Sequence, residues 1–125
     1  MIRYLKMSFF TERLYFLIFG NIGVSHVRKN CRRFRLYNTV NDSLIVFAII
    51  SAEKPEVVKK DKVVLETSLP FYYVDGVVPN VFKGELVPRT FIIGKKGEII
   101  IKEIGAAAWD DEKIVMLIDS LKAIP

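Results

Sequence analysis

The chain has 125 residues, 51% hydrophobic and 26% charged, a balance that fits one globular domain and excludes intrinsic disorder. A domain of this size buries roughly two thirds of its unfolded surface, so it needs no metal or disulfide staple. Cys31 is the one cysteine and His26 the one histidine, which excludes an internal disulfide and leaves too few ligands for a zinc site of the usual kind.

The net charge of +5 is unevenly placed. Residues 1–36 hold eight Lys or Arg against Glu12 alone, whereas residues 37–125 hold eleven bases and thirteen acids. Such asymmetry calls for separate readings of front and back, since a basic front can be a nucleic-acid arm, a membrane-surface segment or a targeting peptide. The apolar stretch Leu14–Phe19 falls far short of the ~20 residues that span a bilayer. No small-residue cleavage site follows it, so an export signal is expected to be absent or degraded. Residues 1–13 read as an atypical extension of a single domain covering 1–125.

Leu14–Phe19 is a continuous apolar run closed by Gly20, the pattern of a strand buried on both faces, and Leu44–Ile50 is a second. Between them Arg28–Asn38 is expected to be helical despite poor apolar spacing and high charge. Pro55 suits a helical first turn, with Val57, Val58, Val64 and Leu65 as one apolar side of a helix running towards Glu66. Leu69–Val74 reads as a short strand, with Phe71, Tyr72 and Tyr73 core or half-core. Phe91–Ile93 and Ile99–Ile101 flank Gly94-Lys95-Lys96-Gly97, which predicts a β-hairpin. Asp110 is the expected N-cap of a final amphipathic helix carrying Ile114, Val115, Leu117, Ile118 and Leu121.

The order strand, helix, strand, helix, strand, hairpin, helix is that of an α/β thioredoxin-like three-layer sandwich, a mixed central sheet with helices on both faces. Within it Leu86-Val87-Pro88-Arg89-Thr90-Phe91 is similar to the Val-Pro-x-Thr-Phe segment of the TlpA/ResA-like thioredoxins. Gly105-Ala106-Ala107-Ala108-Trp109-Asp110 is similar to the Gly-Ala-Ala-x-Trp-Asp that leads into their last helix. From Ser43 onward, about two thirds of the chain, the sequence resembles these bacterial thiol-disulfide oxidoreductases. The resemblance implies a fold that uses no flavin, nucleotide or metal, and a protein or peptide substrate pairing with the Val87 backbone beside a cis Pro88. It also implies a location in the cell envelope.

The same family carries Trp-Cys-x-x-Cys after its first strand, at a helix N-terminus that activates the first thiol. Here the corresponding residues are Gly23-Val24-Ser25-His26-Val27. The spacing survives and both sulfurs are gone. Valine has no ionisable or redox-active group, so dithiol exchange is not expected of this chain. Cys31 reads as a small packing residue, and Asn30 stands where the family has an acid. Ser25 and His26 are adjacent and lack an orienting acid nearby in sequence, so they read as surface residues and not as a catalytic pair.

Two origins fit so good a tail on so poor a head. One synonymous coding of Phe19–Phe34, read one nucleotide earlier, yields a Trp-Cys-x-x-Cys segment with cysteine codons overlapping Val24 and Val27, so the front up to about Arg35 is expected to be out of frame. Ordinary divergence of a non-catalytic paralogue is the rival. The basic run Arg28, Lys29, Arg32, Arg33, Arg35 would spread over more than one helical face, which favours a solvated surface over a nucleic-acid site. Three functional readings follow: thiol-disulfide exchange for an intact-frame version, a redox-inactive peptide-binding module at Val87-Pro88, or a product that folds badly and has no role.

Overall fold

A computed structural model describes residues 13–39, 44–73, 80–84 and 86–124. The proposed extension before Arg13, and Val74 at the end of the third strand, lie outside the described residues.

Five strands form one mixed sheet in the order β3-β2-β1-β4-β5: β1 Leu14–Phe19, β2 Ile45–Ser51, β3 Phe71–Tyr73, β4 Arg89–Ile93 and β5 Ile99–Ile104. β1 runs parallel to β2, with Phe16 opposite Phe47, and antiparallel to β4, with Phe19 opposite Arg89. All six residues of β1 are buried, as its unbroken apolar run predicts for a central strand. α1 (Ser25–Thr39) crosses from β1 to β2 and α4 (Glu112–Lys122) follows the hairpin.

Alternate residues of β1 feed two cores. Leu14, Phe16 and Ile18 pack with Val27, Cys31, Phe34 and Tyr37 of α1, with Trp109, and with Ile118 of α4. Tyr15, Leu17 and Phe19 pack on the opposite face with Phe91, Ile93 and Phe82, the last from a 3-10 helix at Asn80–Phe82.

Several local expectations need correction. The predicted Pro55–Glu66 helix is two short helices, α2 (Pro55–Lys59) and α3 (Lys62–Thr67), because Asp61 adopts an extended backbone and its carboxylate accepts the Val63 and Val64 N–H groups. That break rotates the faces: Val58 and Val63 are buried, while Val57 and Leu65 are exposed. Asp111, not Asp110, caps α4 by accepting the Lys113 N–H. Leu117 in that helix is exposed, and so is Tyr73 at the end of the edge strand β3. The hairpin forms as predicted, with Gly97 at φ 83° in its turn.

α1 is longer and better patterned than its charge suggested. Val27, Asn30, Cys31, Phe34 and Tyr37 follow helical spacing and are all buried, so the apolar stripe is real but interrupted by an asparagine.

Candidate functional site

The register places the site. Phe19 ends β1 and Arg89 begins β4, and the two lie opposite each other, so the chain leaving β1 meets the chain arriving at β4 at one end of the sheet. Gly20 sits at this junction. A Cβ built on it would lie 2.5 Å from Val27 Cγ2 and 3.7 Å from Pro88 Cα, so Val27 and Pro88 flank one point. The Val87-Pro88 peptide bond is cis.

Val24 marks the start of α1: its carbonyl accepts the Arg28 N–H at 3.1 Å, and its own N–H donates to Asn21 O at 3.0 Å. Its isopropyl group cannot accept a hydrogen bond, so this helix start lacks side-chain capping by that residue. Val24 is half-buried against the larger core, Val27 is fully buried, and Ser25 and His26 are exposed in the first turn. The start of α1 is thus aliphatic, with Val24 just before it and Val27 in its first turn.

The preceding loop is pinned to the end of β2 by groups that sequence reading missed. The Glu53 carboxylate accepts the Ile22 N–H at 2.6 Å and the Gly23 N–H at 3.2 Å, and also the Ser51 hydroxyl at 2.9 Å. Asn21 Oδ1 accepts the Ala52 N–H at 3.1 Å. These polar contacts span about thirty residues of sequence and leave no periodic trace in it.

Across the junction, Val87 is 37% exposed and Leu86 65%. The backbone N–H and C=O of Val87 take no hydrogen-bond partner among the described residues, whereas Pro88 is buried and its carbonyl accepts the Gly105 N–H at 2.8 Å. Arg89 holds the approach to this edge. Its Nε and Nη2 donate to Phe82 O at 3.2 and 3.0 Å, its Nη1 donates to Leu86 O at 3.1 Å, and the guanidinium lies 5.3 Å from the centre of the Phe19 ring. Burial weakens its grip on the proton, and the carbonyls and ring offset that cost. No sequence pattern pointed to this side chain.

Cys31 is fully buried, and burial pushes its thiol up to about 12, with the Arg28 charge opposing and Asp61 adding. A thiol so placed carries little thiolate at neutral pH. Among the described residues no three His, Cys, Asp or Glu side chains gather to hold a metal ion, and no helix is long and apolar enough to cross a membrane.

The front of the chain is tied to the back by specific contacts. Asn30 Nδ2 donates to Gly105 O at 3.2 Å while its Oδ1 accepts the Ala107 N–H at 3.1 Å. Arg33 donates to Ala107 O, and the Tyr37 hydroxyl, raised to about 12 chiefly by burial, donates to Trp109 O at 2.7 Å. Phe34 packs on Trp109 with ring centres 5.1 Å apart. These contacts join α1 to residues 105–109, just ahead of α4. Gly20 leaves the space that Val27 fills.

No protein-family model matches the chain, and no curated protein matches it in sequence. Solved structures do. A Chlorobium tepidum protein assigned as the thiol:disulfide interchange protein DsbE superposes with a TM-score of 0.75 at 14% identity, over 95% of this chain and 86% of that one. A thiol-disulfide isomerase from Corynebacterium glutamicum gives 0.72 at 13% identity, over 98% and 89% of the two chains. StoA from Bacillus subtilis gives 0.55 at 19% identity, over 78% and 77%. At such identities the likeness speaks for architecture, and with the strand order and crossover helix described above it establishes that this chain has a thioredoxin-like fold.

Proposed function

We propose that this chain is a TlpA/ResA-like thioredoxin that has lost dithiol exchange and keeps the peptide-binding edge of the fold at Val87-Pro88. The observation that carries the first half is the pair Val24 and Val27 at the start of α1, beside a single cysteine that is fully buried. Exchange requires an attacking thiolate and a second thiol to release the mixed disulfide. The chain has neither at the site.

The second half rests on Val87. Its open N–H and C=O can pair with an extended peptide as an added strand, and the exposed Leu86 and Val87 side chains offer apolar contact to alternate residues of that peptide. The mechanism is therefore one of binding: Arg89 holds the Leu86 carbonyl in place, Val87 presents its backbone, and no bond is made or broken.

Insulin reduction by dithiothreitol tests the first half. The chain is expected to add nothing to the dithiothreitol background, and catalysed turbidity would refute the assignment. Cys31 in the folded chain is expected to react with a thiol reagent on the order of a thousandfold more slowly than a free cysteine. The second half is tested by adding S-carboxymethylated insulin B chain to the 15N-labelled protein. Shifts centred on Leu86–Arg89, abolished in Val87→Pro, are expected; shifts elsewhere or none would remove the peptide edge.

A further inference from the structure

The outer side of α1 is built against the helix's own electrostatics. Its fifteen residues carry five cations and no acid. Arg28 and Lys29 stand in the first turns, where the positive end of the helix dipole disfavours them, and the last turn, where cations would be stabilised, holds none. Arg28 and Arg32, like Lys29 and Arg33, are four apart, and Lys29 and Arg32, like Arg32 and Arg35, are three apart, so like charges face each other along the helix.

Among the described residues, only part of this is relieved. Arg28 pairs with Asp61 and Arg33 bonds to Ala107 O, but Arg32 only approaches Glu66 at 3.9 Å with both side chains exposed. Lys29 and Arg35 are exposed and have no ion-pair partner among the described residues. Arg32, Arg33, Arg35, Leu36 and Asp110 line a shallow cavity of about 410 Å³, three cations against one acid, and Leu36 is 47% exposed. Arg28 and Arg33 are thus used within the fold, while Lys29, Arg32 and Arg35 stay exposed and open to a partner.

The structure assigns this face, we infer, to docking an acidic segment of a partner protein, whose carboxylates pair with Lys29, Arg32 and Arg35 while an apolar side chain rests on Leu36 in the cavity. Guanidinium groups match carboxylates in a bidentate fork. Single-stranded nucleic acid fits less well because the aromatic residues of this helix, Phe34 and Tyr37, face the core and leave no stacking platform outside. A bilayer fits less well because Leu36 is the sole large hydrophobic residue exposed among the described side chains of α1. The surface is separate from Val87 and does not rest on the peptide-edge reading.

The test uses the full chain and a fluorescein-labelled twelve-residue peptide of alternating Glu and Leu, with its Gln-Leu counterpart as control. The Glu-Leu peptide is expected to bind at low salt, with affinity falling roughly tenfold between 50 and 200 mM salt. Lys29→Glu/Arg35→Glu is expected to weaken binding by about tenfold or more while the melting temperature stays level or rises, because the substitutions relieve like-charge pairs. Equal binding of the Gln-Leu peptide, no binding at low salt, or binding untouched by the charge reversal would each overturn the assignment. So would tighter binding of a twelve-nucleotide oligothymidine or of anionic phosphatidylglycerol vesicles.

Discussion

The β1–α1 unit at the front and the β4–β5 hairpin with α4 at the back differ more in surface than in architecture. Every residue of β1 is buried, and α1 buries Val27, Asn30, Cys31, Phe34 and Tyr37. In the back unit β4 is as buried as β1, but β5 is largely exposed along its length and α4 buries only Ile118 completely. The unit whose sequence looks foreign to the fold is the more deeply integrated one. What sets it apart is the basic solvent side of α1, outside the core, and the aliphatic start of that helix, whose Val27 is part of the core.

The largest expected effect probes that integration. Phe34→Ala removes a ring packed against Phe16, Phe47 and Trp109, and leaves a void at the meeting point of both units. A loss of ~3–5 kcal/mol is expected in denaturant unfolding. A loss below about 1 kcal/mol would mean that α1 is not part of the cooperative core, and the contrast drawn above would collapse.

A smaller effect tests whether the aliphatic site is fitted to its surroundings. Gly20→Ala forces a methyl group towards Val27 Cγ2 and is expected to cost ~1–3 kcal/mol. Val27→Ala in the same chain removes the clashing atom, so the double variant is expected to lose less than the two single losses combined. Simple additivity in thermal or denaturant unfolding would show that Gly20 and Val27 are independent, and that the loop tolerates any small residue.

The legible parts of the molecule were those with a one-dimensional signal. The unbroken apolar runs of β1 and β2, the Gly97 turn and the Leu86–Phe91 segment declare themselves by pattern. Long-range polar contacts do not. Asn30 in the buried stripe of α1 looks like a missing acid until its partners at Gly105 and Ala107 are known, and Glu53 and Arg89 look like surface charges until they are seen holding backbone groups. The break at Asp61 was missed because four valines and leucines at near-helical spacing outweighed one capping residue, which turned Val63 inward and left Val57 and Leu65 in solvent.

Asp61 supports the smallest and most divisible prediction, because it ties α1 of the front unit to α3. Its Oδ1 caps α3 through Val63 and Val64, and its Oδ2 receives Arg28 of the basic helix. Partial burial alone would raise its carboxyl, but the Arg28 hydrogen bond, the two N–H groups and the Arg28 charge together hold it below the ordinary value. A carboxyl whose folded value lies below its unfolded value, about 3.9, stabilises the fold above that pH and loses the contribution as pH falls through the folded value. Asp61→Ala removes cap and ion pair and is expected to cost about 1–2 kcal/mol at pH 7. Asp61→Asn keeps an oxygen for the cap and removes only the charge, so it is expected to cost less, on the order of 0.5 kcal/mol for a partly exposed pair. Its melting temperature is also expected to fall less steeply below pH 4 than that of the parent chain. Equal losses for the two variants would assign the stabilisation to the Arg28 pair, and α1 would then be tied to α3 by charge more than by the helix cap.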